Sequence, residues 1–182
     1  MTAIIPKSRP KATRSDVLKY VDDSGCGLNL NNSPVLIVGV RGYYKRTMGD
    51  PYRNDRNLYD DAIFILAPNE FHAYNANVDP STYRKGIATL VPGVYDVVKW
   101  RHKGKYAALQ IVKDTVARDG QTKLDTGRHG INFHYGGSYT TTGSEGCMTF
   151  PRPQFWQFQG HVYELMDHYG LSRAKFLLVA EK

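Results

Sequence analysis

Residues 129–152 read HGINFHYGGSYTTTGSEGCMTFPR and combine a predicted strand, a glycine-rich loop and a cysteine. Ile131–Tyr135 is a short run of apolar and aromatic residues that favours a strand, and two glycines follow it. A loop rich in serine and threonine then leads to Cys147, thirteen positions after His134. A loop of this length can fold back on the strand, so the sequence predicts that the histidine and the cysteine meet.

Nucleophilic cysteine chemistry is the function that these residue types favour. The thiolate is the reactive form of cysteine, and an ion pair with His134 would supply it at Cys147. Gly146 lets the backbone approach a substrate closely, and the N–H groups of Gly146 and Cys147 are candidate donors to an oxyanion. The same spacing also fits a small buried cysteine beside a structural histidine.

The pattern H-x-G-G followed by S-x-G-C resembles the active-site signature of the L,D-transpeptidase catalytic-domain family. Further segments are similar to small bacteriophage and prophage proteins related to that family. With them the resemblance extends over roughly residues 35–160. These segments are Val40–Tyr44, Tyr59–Phe64, Asn75–Ser81 and Pro92–Tyr95.

The resemblance implies a fold and a site. The fold is mainly β (α+β), an L,D-transpeptidase-like β-sandwich or barrel with the C-terminal amphipathic helix packed on the sheet. Cys147 is implied as the nucleophile that forms a thioester with a peptide carbonyl, and His134 as the base. The carbonyl of Tyr135 would orient that base, Gly146 would shape the oxyanion hole and Ser144 would brace the loop. The implied substrate contacts are Tyr135, Gly136, Glu145 and Arg152.

Some positions depart from the family's pattern. Glu145 stands where the family has a second histidine, and Thr149 stands where an arginine often follows the cysteine, with Arg152 as the nearest substitute. The separation between histidine and cysteine is also shorter than usual. A thioester that meets water is hydrolysed, whereas one that meets an acceptor amine forms a cross-link. We expect hydrolysis of wall stem peptides, as in an endolysin, with no cofactor and no metal ion.

Length and charge indicate one basic domain. The chain has 182 residues and a net charge of +7, which attracts anionic partners such as bacterial wall or nucleic acid. We expect a mobile basic leader at residues 1–14 and a single catalytic domain at residues 15–182. No nucleic-acid motif accompanies the charge, so peptidoglycan is the expected partner, no nucleic acid is expected, and the protein is expected to be a monomer.

The sequence also predicts a location. No apolar run approaches the ~20 residues of a membrane span. The N-terminus lacks the apolar stretch of a secretory signal peptide. We therefore expect synthesis in the host cytoplasm and action at the bacterial wall or periplasm after release or delivery.

Hydrophobic patterning predicts mostly strands and two helices. An apolar stripe from Phe155 to Tyr169 indicates a C-terminal helix, with Trp156 as a core anchor, and Thr13 or Ser15 can cap a helix over residues 16–23. The long loop Gly42–Asp60 is expected to cover the site. Strands are predicted at Val35–Val40, Ala62–Ala67, Phe71–Asn75, Ile131–Tyr135 and Lys175–Ala180, and hairpins at Val94–Arg101 with Lys105–Val112 and at Thr115–Arg118 with Gln121–Leu124.

The sequence leaves three other functional interpretations open. His129, His134 and Cys147 could hold a catalytic zinc ion, although histidines five apart on a regular strand point to opposite faces. Glu145, or an acid from the Asp50–Asp61 loop, could pair with another carboxylate across a cleft and act as a muramidase-type glycosidase. The basic, aromatic hairpin at Val94–Val112 could belong to a non-catalytic wall-binding or virion module.

Overall fold

A computed structural model describes residues 4–52, 55–137 and 139–180. These residues form a mainly β, α+β fold, as the sequence predicts. Neither of the helices within the described ranges has the length and apolar character that a membrane crossing requires. The helices are α1 (Arg14–Asp23) and α2 (Arg152–His168); the strands are β1 (Leu36–Arg41), β2 (Asp61–Ala67), β3 (Glu70–Ala76), β4 (Ala88–Leu90), β5 (Gly93–His102), β6 (Tyr106–Ile111), β7 (Asp114–Arg118), β8 (Asp125–Gly127), β9 (Asn132–Tyr135), β10 (Met148–Phe150) and β11 (Ala174–Ala180).

The main sheet has eight strands and is nearly closed into a barrel. Its strand order is β10-β9-β6-β5-β11-β1-β2-β3, and β4-β7-β8 form a separate small sheet. Asn77, directly after β3, exchanges two backbone hydrogen bonds of 2.8 Å with Thr149 in β10. This bridge joins the two edge strands, so neither edge is left fully open at that point.

The central strands are buried on both faces of the sheet. On one face, Phe155 and Phe158 of α2 enter the main core, where the Phe158 ring stacks 4.5 Å from the Phe150 ring. On the other face, Val17 and Val21 of α1 pack in a second apolar cluster with β1 and β2. Burial on both faces explains why β1 is a continuous apolar run rather than an alternating one.

The N-terminal segment contacts the domain over its described part. The Thr13 side chain caps α1 in a capping box with Asp16, so the predicted Thr13 cap is confirmed. The N–H groups of Lys11 and Ala12 donate to the Tyr43 hydroxyl at 3.1 and 2.9 Å. The N–H of Tyr59 also donates to the carbonyl of residue 4 at 2.9 Å. The described part of the predicted leader, residues 4–14, therefore includes the first residue of α1 and contacts the long loop at Tyr43 and Tyr59.

Most predicted strands and the Val94–Val112 hairpin are present, with three corrections. The second hairpin returns through Asp125–Gly127 rather than Gln121–Leu124, because the Arg118 side chain pairs with Asp125 across a longer turn. The three-residue strands β4 and β10 were not predicted, since so short a segment shows no periodicity. Trp156 is 40% exposed rather than a core anchor.

Two glycine substitutions test the packing. A Cβ on Gly39 in β1 would lie 2.9 Å from the buried Phe176 ring, whereas a Cβ on Gly160 in α2 would meet no atom within 4 Å. We expect Gly39→Ala to lower the free energy of unfolding by about 1–3 kcal/mol. We expect Gly160→Ala to raise it by about 0.5–1 kcal/mol. Urea denaturation measures the free energy of unfolding of both variants. Equal changes in the two would contradict the close packing of Gly39 against Phe176.

Candidate active site

The parallel pairing of β9 with β10 brings Cys147 and His134 to the same face of the sheet. Thr149 lies opposite His134 in this pairing, and Met148 lies opposite Phe133. Because side chains alternate along a strand, Phe133 and Met148 point into the core while Cys147 and His134 share the other face. Asn132 lies two positions before His134, and its backbone N–H donates to Cys147 Sγ at 3.4 Å.

His134 is held in one tautomer by the backbone. Its Nδ1 lies 2.7 Å from the carbonyl oxygen of Tyr135, which can only accept a hydrogen bond. Nδ1 therefore carries the proton, and Nε2 of the neutral ring carries the free lone pair that a base needs. The carbonyl of Tyr135 has the orienting position that the family resemblance implies.

Burial keeps this base neutral. The His134 side chain is buried, and burial lowers its pKa to about 4, with the charges of His102 and Lys103 acting in the same direction. His134 is thus uncharged at neutral pH and able to accept a proton.

The thiol is neutral as well. Burial raises the pKa of Cys147, and hydrogen bonds from Asn132 and the charge of Lys103 offset this only in part. Both shifts favour the uncharged partners over the resting ion pair that the residue types predict, and that ion pair stays a prediction which alkylation rates can test. His134 can still act as a general base if the proton moves while the sulfur attacks.

Ser144 braces the loop that carries the cysteine. Its buried Oγ donates to the Cys147 carbonyl at 2.7 Å and accepts the N–H of Gly146 at 3.0 Å. Its own N–H donates to Ser81 Oγ at 2.7 Å, and the Ser81 N–H donates back to the Ser144 carbonyl at 2.8 Å. The Gly146 amide is occupied in this arrangement, so of the two donors predicted for an oxyanion hole only Cys147 remains a candidate.

Gly146 has a second, steric role beside the cysteine. Its φ is +130°, and a Cβ there would lie 2.5 Å from the backbone carbonyl oxygen of Ala88 in β4. A backbone atom cannot move aside as a flexible side chain can. Only glycine therefore fits between β4 and Cys147.

Three of the predicted substrate-binding residues line one cleft at the start of α2. The cleft has a volume of about 630 Å³ and includes Tyr135, Gly136, Arg152 and Trp156. The Arg152 guanidinium lies 4.8 Å from the centre of the Tyr135 ring. Strand alternation directs the Tyr135 side chain away from the face that holds His134.

Glu145 lies outside this cleft. It is exposed and pairs with Arg84 at 2.9 Å.

Two site residues were missed by sequence reasoning. His102, at the end of β5, stacks on His134 with ring centres 4.2 Å apart, and Lys103 follows it in the turn. Nothing in the local sequence indicates that this hairpin reaches the site. Asn132 could have been found, because it lies two positions before His134 on the same strand and alternation places both on one face.

The long loop docks beside the site. Asn57 Nδ2 donates to the Thr140 carbonyl at 3.2 Å, and the N–H of Thr142 donates to Asn57 Oδ1 at 2.9 Å. The hydroxyl of buried Tyr59 lies so close to Gly136 that a Cβ there would overlap it. The described end of Gly42–Asp60 thus packs on the loop between β9 and β10, while residues 53 and 54 lie outside the described residues.

His129, the first ligand of the zinc alternative, is engaged by other side chains. His129 contacts Asp114 through Nδ1 and Asp125 through Nε2, the latter at 2.9 Å, so both ring nitrogens face carboxylates. Across the part of the chain that the structure describes, no three His, Cys, Asp or Glu side chains are grouped to hold a metal ion. Both cysteines are free thiols.

One of the acids considered for a glycosidase, Asp61, is engaged by the backbone. Asp61 is fully buried, and its two oxygens accept the N–H groups of Gly42 and Val78, each at 2.6 Å. A carboxylate used in this way cannot protonate a glycosidic oxygen in a cleft. Glu145 therefore has no partner carboxylate in Asp61.

No protein-family model matches the chain, and no curated protein matches it significantly.

The neutral resting state predicts a pH profile for alkylation. In a Cys26→Ser background, we expect Cys147 to react slowly with iodoacetamide at pH 7, because burial raises its pKa above the ordinary 9.0. The rate should rise about tenfold per pH unit through pH 8–9, with the thiolate fraction. His134→Ala should not slow the reaction at pH 7. A rate that is already at its plateau at pH 6–7, and falls in His134→Ala, would indicate a resting ion pair.

A glycine pair tests the loop geometry. Gly146→Ala should lower the free energy of unfolding by about 1–3 kcal/mol or more, because the new Cβ overlaps the Ala88 carbonyl. Gly27→Ala is the matched control, since Gly27 also has a positive φ, +72°, but has open space around it. Urea unfolding measures both variants. A smaller loss for Gly146→Ala than for Gly27→Ala would contradict the tight approach to β4.

Proposed function

We propose that this protein is a cysteine-dependent enzyme that hydrolyses peptide bonds in the stem peptides of peptidoglycan. One observation carries the proposal: Cys147 and His134 share one face of two paired strands, and the Tyr135 carbonyl leaves Nε2 of His134 free to accept a proton. The thiol and this lone pair lie on the same face of adjacent strands. This arrangement fits acyl transfer through a thioester.

The reaction proceeds in two balanced steps. Cys147 Sγ attacks the peptide carbonyl while Nε2 of His134 takes the thiol proton, which gives a tetrahedral oxyanion for which the Cys147 N–H is the nearest candidate donor. The intermediate collapses to a thioester, and the protonated His134 gives its proton to the departing amine. Water then attacks the thioester with His134 as the base again, which releases the acid and restores the thiol.

The surface around the site supports an anionic substrate. Lys103 directly follows His102, whose ring stacks on His134, and its positive charge acts on the pKa of both His134 and Cys147. Arg152 is exposed in the separate cleft that Tyr135 lines on the other face of the strand. Stem peptides carry carboxylates, and the net charge of +7 attracts the anionic wall. Together with the phage-like sequence, these features favour an endolysin-like role at the bacterial wall after release or delivery.

Digestion of purified peptidoglycan tests the proposal directly. We expect peptide products or new stem termini from the wild type, read by mass spectrometry, and none from Cys147→Ala. His134→Ala should lower the rate by about 10²–10⁴-fold, the usual contribution of a general base. Cys26→Ser, which removes the other thiol, is the matched control and should retain full activity.

The other outcomes would point to different functions. Sugar-chain cleavage that survives in Cys147→Ala would establish a glycosidase and refute the thiol mechanism. Binding to walls with no product from any variant would refute catalysis and favour a wall-binding module.

A further inference from the structure

His102 is an unusual neighbour for a catalytic base. Its ring lies against the ring of His134, with centres 4.2 Å apart and planes 22° from parallel. The two residues are on different strands, β5 and β9, and are 32 positions apart. The contact therefore depends on the tertiary packing of the β5–β6 hairpin.

The turn of this hairpin directs His102 inward. Lys103 and Gly104 both have positive φ, +50° and +70°, and the N–H of Lys105 donates to the His102 carbonyl at 2.9 Å. The backbone therefore reverses directly after His102. The Tyr106 ring also lies 5.5 Å from the His102 ring, so His102 contacts both a tyrosine and the base.

One ring nitrogen of His102 is buried without a partner. Nδ1 has no hydrogen-bond partner within the described part of the chain. An imidazolium needs two acceptors for its two N–H groups, and a buried N–H without one is strongly disfavoured. His102 is therefore held in its neutral form, with Nδ1 as an unpaired acceptor.

We propose that His102 is a positioning residue for His134: its stacked, neutral ring fixes the base and shields it from protonation by solvent. This inference rests on the proposed role of His134 as the base. Two stacked imidazoles cannot both be charged without strong repulsion, so a proton on either ring opposes a proton on the other. The family's second histidine is absent at Glu145, and this stacked ring comes from a different part of the chain.

Burial and nearby charge also favour the neutral forms of His102 and His134. Burial lowers the pKa of both histidines, and Lys103 lowers both further. The effect on function is that His134 stays available as a base in mild acid. The groups shown beside the pair are Lys103 and Tyr106 from the hairpin and the Tyr135 carbonyl from β9, while Asn132 and Cys147 share the face of the sheet that holds His134.

Nuclear magnetic resonance titration of the histidine ring protons tests this without requiring activity. In the wild type, His134 should stay neutral until about pH 4. The His102→Ala variant removes the stacked ring and admits water, so the titration midpoint of His134 should move toward the ordinary value of 6.5. In His102→Phe, which keeps a stacked ring, the midpoint should remain low. If His102→Ala does not fold, His102→Gln replaces it, because it also lacks a ring.

A second stacked pair supplies the matched control. His72 on β3 stacks on His161 of α2 with ring centres 3.8 Å apart. His72→Ala should leave the His134 midpoint unchanged. The inference is overturned if His134 in the wild type titrates near 6.5, if His102→Ala leaves its midpoint near 4, or if His102→Phe moves it as far as His102→Ala does.

Activity gives a separate readout. The acid limb of kcat/KM on peptidoglycan should follow the His134 midpoints of the wild type and of the two His102 variants. If the wild type shows no activity, the proposed function fails while the titration still decides the role of His102.

Discussion

The site depends on the parallel pairing of two short strands, β9 and β10. Adjacent parallel strands cannot be joined by a tight turn, so the chain must leave β9 in a loop and return alongside it. The core fixes the register, because Phe133 and Met148 are both fully buried. A shift of one residue would expose them and turn Cys147 into the core. The position of the thiol is therefore a consequence of core packing.

The returning loop is stabilised by contacts on all sides. Ser81 and Ser144 exchange hydrogen bonds through backbone and side chain, and Asn57 bonds the segment at Thr140 and Thr142. The bridge between Asn77 and Thr149 then closes the sheet next to the cysteine. A rigid frame of this kind suits catalysis, because a nucleophile must be held within a fraction of an ångström of its working position.

The sequence predicts the long elements well and the site only in part. β1 and α2 were predicted because an apolar run and a helical stripe are local patterns. β10 was not predicted, because three residues are too few to show a hydrophobic periodicity. His102 was missed because its contact with His134 depends on how a distant hairpin packs. The protonation state of Cys147 and His134 shows a related difference: the residue types predict an ion pair, whereas burial favours the uncharged partners.

The uncharged pair has a consequence for the proposed mechanism. A thiol with a raised pKa reacts slowly with oxidants and alkylating agents, because little of it is thiolate at neutral pH. In the attack proposed for Cys147, charge would form on the substrate oxygen and on His134, in the transition state and in the tetrahedral intermediate that follows it. Donors to that oxygen therefore contribute to rate rather than to ground-state binding. With the Gly146 amide engaged by Ser144, the Cys147 N–H and any group that the substrate itself brings near must stabilise this charge.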